Sequence, residues 1–236
     1  MVRNKFNKET VRLRFIINFL NILNLKKMYK QQNSYSKFFL VSALFSITFV
    51  ACSCGKDPRS PDFLSPAYHI SASEKLVIPA TIDLPANLPG GNSRVATFFA
   101  EGVQKYKAQQ KAGSNPTTFE WVFVAPEANL YDATNAKVGT HSAGPTWQLS
   151  GATTDSIYGQ QFSPPKSAAS PDPTRIDWLQ LMPKTGKVPT GIFANVSYIQ
   201  RIATTGGKAP ATLPVSAGET IDVKYTAIYR FTKINP

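Results

Sequence analysis

Residues 220–234, TIDVKYTAIYRFTKI, alternate apolar and polar side chains with a period of two. Ile221, Val223, Tyr225, Ala227, Tyr229 and Phe231 fall on one face; Asp222, Lys224, Thr226, Arg230 and Thr232 fall on the other. Six alternations in a row predict an antiparallel strand with one face on a core and one in water. Residues 95–108, 119–126, 156–162, 177–183 and 191–202 read the same way, and residues 128–141 read as a hairpin turning at Asp132–Ala136. No window of a dozen residues carries a capped 3.6-residue period. The Pro/Ser-rich stretch 163–175 is a surface loop by composition. The pattern predicts an all-β protein: one antiparallel sandwich or barrel-like domain over residues 76–236, with no internal repeat and no second domain.

The first fifty residues follow a different logic. Lys30 and Lys37 precede the apolar run FFLVSALFSITFV (38–50), then Ala51 and Cys52. A basic start, an apolar stretch too short to span a bilayer and a small residue before the cut describe an export signal. A cysteine directly after FVA makes it resemble a bacterial lipoprotein signal, in which the thiol is acylated and the peptide cut before it. Phe49 stands where leucine is usual, and Cys54 is a poorer acceptor than Cys52. A plain signal with an incidental cysteine is the alternative. Residues 1–27 fit no part of this signal; LRFIINFLNILNL (13–25) is broken by Arg14 and three asparagines. The start is therefore expected at Met28, the alternative being an extra interfacial helix. Residues 1–51 are assigned to extension and signal, and 52–75 to a lipid anchor and flexible tether.

Charge changes little once it is located. The formal net charge is +12, but nine of the 26 Lys/Arg and only one of the 14 acids precede Cys52. The remaining 17 bases and 13 acids are scattered, which is not the clustered footprint nucleic acid requires. The expected partners are a membrane, through the lipid anchor, and no nucleic acid. Ser53 after the anchor favours the outer membrane. Both cysteines lie at the processing site, so the domain stands on its core without a disulfide, as a chain of this length can.

Most catalytic templates are absent: no G-x-S-x-G, G-x-G-x-x-G, phosphate loop or H-E-x-x-H, and no cysteine in the body. A transition-metal site would have only His69 and His141 to draw on, so neither metal nor cofactor is expected. His69 reads as a surface residue, and Trp121 and Trp178 as core, with an exposed carbohydrate platform the lesser reading. Two stretches are denser in chemistry. VGTHSAGPTW (138–147) packs glycines, a proline, His141 and Trp147 into ten residues; YIQRIATTGGKAP (198–210) carries Gln200 and Arg201 into a double-glycine turn.

GVQKY (102–106), WVFVAPEANLYD (121–132), VGTHSAGPTW, DWLQLMP (177–183), GIFANVSYIQRIATTGGKAP (191–210) and VKYTAIYRF (223–231), in that order, resemble the domain-of-unknown-function family 3455. The resemblance covers roughly Ile78–Phe231 and implies one exported domain without implying an activity. It marks two positions for cysteine that this chain fills otherwise, Ala108 and the ATLP stretch 211–214, consistent with loss of a disulfide pair. Three accounts of His141 remain open. It could brace a Gly-Pro turn with Trp147 as core. It could join Gln200 and Arg201 beside an aromatic wall to bind a small anionic or carbohydrate ligand. It could act as a general base in a small hydrolase or lyase, given an orienting partner. The composite expectation is an envelope lipoprotein acting as a binding or interaction module rather than an enzyme, with a purely structural component as a further alternative.

Overall fold

The computed structural model describes residues 62–114, 117–151 and 155–236. The expected signal, the expected acylation position Cys52 and the expected tether up to residue 61 lie outside the described residues. Eight strands follow in chain order: β1 (Asn92–Gln110), β2 (Phe119–Tyr131), β3 (Lys137–Ser142), β4 (Thr146–Leu149), β5 (Ser156–Ala168), β6 (Trp178–Pro183), β7 (Tyr198–Gly206) and β8 (Thr220–Ile234). Each pairs antiparallel with the next, and β8 returns to pair with β1 from Asn92↔Ile234 to Lys107↔Thr220, closing an up-and-down barrel. Closure pairs each of these strands on both sides over at least part of its length, which protects most of the sheet edges.

The barrel interior is filled by alternate residues of every strand, as the pleat requires. Phe98, Leu130, Trp147, Ile157, Ile199 and Phe231 belong to one continuous core. One end is stoppered by a single 3-10 turn, Gly191–Phe193, whose Phe193 is fully buried 4.8 Å from the Phe231 ring. That turn corrects the strand reading of 191–202: the strand begins only at Tyr198.

The outside of the barrel carries a second layer that alternation along single strands does not reveal. Helix α1 (Pro66–Ser73) and the chain to Leu88 lie over β1, β6, β7 and β8, enclosing Ile70, Ile82, Phe99, Trp178, Ile202 and Ile228 in a separate apolar cluster. Ser65 caps α1 by accepting from the Tyr68 N–H, and Pro66 occupies the first turn, where a missing N–H costs nothing. The part of the presumed tether from Ser65 onward is thus ordered structure. Because of this cover, the outward face of β8 is dry from Ile228 to Thr232, while Asp222 and Lys224 on the same face stay exposed. Ile228, Arg230 and Thr232 are as buried as the inward residues, whereas Arg230 and Thr232 were expected in solvent.

Two smaller differences have local causes. Residues 163–168 extend β5 rather than starting a loop, and the register with β6 breaks between Gln161 and Lys166, across Pro164 and Pro165. Proline has no N–H for a ladder bond, so it is tolerated where pairing lapses. The hairpin at Asp132–Ala136 forms as read, with the Asp132 carboxylate accepting from the Thr134 and Ala136 N–H groups.

Candidate functional site

The β3–β4 hairpin sets the first half of the site. His141 and Trp147 are directly opposed across it, so both side chains point to one face. Their rings stack at 4.5 Å with 10° between planes, and Tyr229 of β8 meets both, 4.8 Å from His141 and edge-on to Trp147 at 5.1 Å. Gly159 on β5 makes room for this: a Cβ there would sit 3.0 Å from the Trp147 ring and 3.2 Å from Leu181. Trp147 is fully buried and His141 is 3% exposed.

The second half comes from β6, β7 and β8, where Leu179, Arg201 and Tyr229 are neighbours in register. The Asp177 carbonyl accepts from Arg201 Nε (3.2 Å) and Nη2 (2.8 Å), which fixes the plane of the guanidinium. Gln104, in the GVQKY stretch of β1, completes the ring at 2% exposure. Gly207 holds the turn beyond β7 at φ +83°, with its carbonyl accepting from the Tyr106 hydroxyl at 2.7 Å. A side chain at Gly207 would press on Tyr225 and Gln104, so glycine is needed there for both conformation and space.

Between these halves, at the barrel end opposite Phe193, lies a cavity of about 260 Å³. Its walls are mainly apolar, from Phe123, Pro126, Pro145, Leu181 and the aromatic pair Trp147 and Tyr229. Its polar groups are Gln104, His141, Gln161, Arg201 and the Tyr229 hydroxyl; among the described residues no aspartate or glutamate lines it. His141 Nδ1 lies 2.9 Å from the Thr146 carbonyl, so it carries the proton and Nε2 is left as an acceptor. Burial pushes the His141 pKa down to about 4, against the opposing pull of the Thr146 carbonyl, with the Arg201 charge lowering it further. The ring is therefore neutral near pH 7. Burial likewise raises the Tyr225 and Tyr229 hydroxyls, which stay protonated. Both hydroxyls, together with Gln104 Nε2 and Trp147 Nε1, are buried without a hydrogen bond of good geometry. The hydroxyls nevertheless lie close enough to Arg201 to feel its charge.

Of the four residues singled out from sequence, His141, Trp147 and Arg201 converge on this cavity. Gln200 does not. Successive strand residues point to opposite faces, so Gln200 lies outside the barrel, donating from Nε2 to the Ile82 carbonyl at 2.7 Å and holding the cover in place. Gln104, Gln161 and Tyr229 were not singled out. Tyr229 and Gln104 were visible as members of an alternating strand and a recognised motif, but only closure of β8 on β1 and β7 brings them to the same end. His69 is partly buried and stacks on Phe99 at 4.7 Å, while Trp178 is core. Trp121 is half-buried, its indole donating to the Thr212 carbonyl at 2.9 Å.

The family model for proteins of unknown function designated DUF3455 matches residues 89–233, from just before β1 to within β8. The chain belongs to that family. No curated protein and no solved structure matches it. The matched DUF3455 region contains all of the barrel but the last residue of β8 and every residue of the cavity, whereas α1 and the rest of the cover precede it. The two positions where the family resemblance marks cysteines meet at one side chain: Ala108 is opposite Trp121 in register, and Trp121 bonds the 211–214 stretch. A hydrogen bond thus ties this loop where a disulfide is absent.

Proposed function

We propose that this protein is an exported, lipid-anchored binding module of the cell envelope, and that the barrel mouth lined by His141, Trp147, Arg201 and Gln104 holds its ligand. One observation carries the reading. Buried donors at Gln104 Nε2 and the Tyr229 hydroxyl make no hydrogen bond of good geometry beside a cavity where, among the described residues, Arg201 is the single charge and no acid faces it. Each unpaired buried polar group costs about 1–3 kcal/mol, and a cluster of them beside a cavity is completed when water, an ion or a ligand enters it. A cavity just below the usual 300–1,000 Å³ range suits a small molecule.

Binding is favoured over catalysis by the state of His141. A general base works best with a pKa near the operating pH and a group that orients it. His141 is depressed to about 4 and tied to a backbone carbonyl rather than a carboxylate, which suits an acceptor in a binding site. The test is amide chemical-shift mapping during a small-molecule screen on the purified chain. Hits should perturb Ala143–Trp147 and Arg201, and Gln161→Trp, which fills the rim, should abolish them. Hits that map only elsewhere, or that survive Gln161→Trp, sink the reading. The anchor is tested separately by mass spectrometry of membrane-extracted protein. Acylated Cys52 should be the N-terminus, and Cys52→Ser should lose both acylation and lipoprotein-type processing; acylated chains retaining residues before Cys52 would refute this.

A further inference from the structure

Resting on the mouth as a ligand site, we infer that its ligand is a small monocarboxylate with a compact apolar body, not a sugar or a neutral molecule. The charge balance of the site comes first. Among the described residues Arg201 is the only charged one lining the cavity, and no lining carboxylate offsets it. Its Nε and Nη2 edge is spent on the Asp177 carbonyl, and the rest of the guanidinium lies within reach of the Tyr229 hydroxyl. A guanidinium clamped on one edge presents the other as a planar pair of donors, the geometry that matches a carboxylate.

Donor count points the same way. Gln104 Nε2 and the Tyr229 hydroxyl are buried and make no hydrogen bond of good geometry, although Gln104 lies within reach of Tyr225 and Tyr229 within reach of Tyr225 and Arg201; both residues line the cavity. With Arg201 they make a donor-rich end, complementary to an acceptor-only group. His141 has only Nε2 left to offer as an acceptor, since Nδ1 is committed to Thr146, and the amide oxygens of Gln104 and Gln161 are the other acceptors on lining side chains apart from the Tyr229 hydroxyl. A sugar brings as many hydroxyl donors as acceptors and would leave most of them facing Leu181, Pro126, Pro145 and Phe123, at a desolvation cost. An apolar body gains from those walls, and a flat one can also lie against the Trp147 and Tyr229 rings. The volume limits that body to about one ring or a short chain.

The probes are sodium benzoate, benzamide and glucose, titrated calorimetrically into the purified full chain, with Arg201→Gln and Gln104→Leu as variants. Benzoate should bind at least tenfold tighter than benzamide and glucose, and Arg201→Gln should remove that preference. Gln104→Leu gives an independent reading that does not depend on Arg201→Gln folding. It deletes a buried donor that makes no hydrogen bond of good geometry, so the melting temperature should hold or rise while benzoate affinity falls severalfold. Equal binding of benzamide and benzoate, or benzoate affinity untouched by both variants, overturns the carboxylate while leaving the mouth as a site. Glucose binding that maps to the mouth in place of benzoate overturns it in favour of a sugar. Failure of every screened compound to reach the mouth, with Gln161→Trp indistinguishable from wild type, removes the underlying reading as well.

Discussion

His141 shows how one side chain serves packing and chemistry together. Its ring is stacked on Trp147, bonded to Thr146 and nearly sealed from water, so it braces the β3–β4 turn whatever else it does. Its folded pKa, about 4, lies below the unfolded value of about 6.5. The unfolded chain therefore binds the proton more readily, and the stability this group contributes is fully present above pH 6.5. It is lost as the pH falls through that window toward 4. We predict a loss on the order of 3 kcal/mol between pH 6.5 and 4 from this residue, measurable by denaturant unfolding at each pH. In His141→Gln the drop should shrink, and in wild type the His141 ring resonances should not titrate above about pH 5. A ring that titrates near 6.5 would refute the neutral buried state. Ala203 makes a second test. It sits at φ +51°, within the irregularity of β7 between Ile202 and Thr205. The left-handed region costs a non-glycine residue roughly 1–2 kcal/mol, and glycine's extra unfolded-state freedom takes back about 0.5–1 kcal/mol. Ala203→Gly should therefore stabilise the fold by up to about 1 kcal/mol; clear destabilisation would show that the methyl packs against the outer cluster strongly enough to repay its strain.

The N-terminal cover is the element whose role differs most from its reading in sequence. It closes over a row of polar residues that face each other across the strands: Gln180 with Gln200, and Gln200 with Arg230. Arg230 Nη2 donates to the Ser73 carbonyl at 2.6 Å and lies 3.4 Å from the Glu74 carboxylate, while Gln200 reaches Ile82. These bonds fasten the cover at two points, and Ile70 and Ile82 supply the apolar contact between them. Ile70→Ala should cost about 2–4 kcal/mol, within the range for emptying a core isoleucine site. Removal of residues 62–76 should expose Phe99, Trp178, Ile202 and Ile228 and produce dye binding typical of open apolar surface. A truncated barrel with unchanged stability and no dye binding would mean that the outer cluster is dispensable.

The barrel as a whole is closed by its two most distant strands, with Asn92 beside Ile234. Pairing over such separation must await the ordering of much of the chain, so refolding should fall in the millisecond-to-second range of non-local β topologies. A chain ending at residue 219 lacks β8, which supplies Tyr229 and Phe231 to the core and pairs both β1 and β7. It should show no cooperative unfolding transition. Neither cysteine lies within the barrel, so the melting temperature should be the same with and without reductant; a shift of several degrees would point to a bond involving Cys52 or Cys54.

Alternation alone carried most of the fold. The period-two pattern in 220–234, 95–108 and 119–126 is local, because the pleat turns each successive residue to the opposite face, so an all-β antiparallel chain could be read from it directly. The same locality explains what could not be read. Alternation along β8 separates two faces but does not say that the second is covered, because the cover comes from residues more than 140 positions away. The eight-residue helix in that cover was signalled by Ser65 and Pro66, a cap and a first-turn proline, but was too short to show a period. The site divides in the same manner. His141 and Trp147 lie in one hairpin and could be linked by sequence, and Arg201 stood out by its chemistry. Parity on β7, fixed only when Ile199 and Ile202 found their opposite cores, sent Gln200 outward and Arg201 inward. Gln104 and Tyr229 joined them because the barrel closed, and closure is decided by packing across the whole chain.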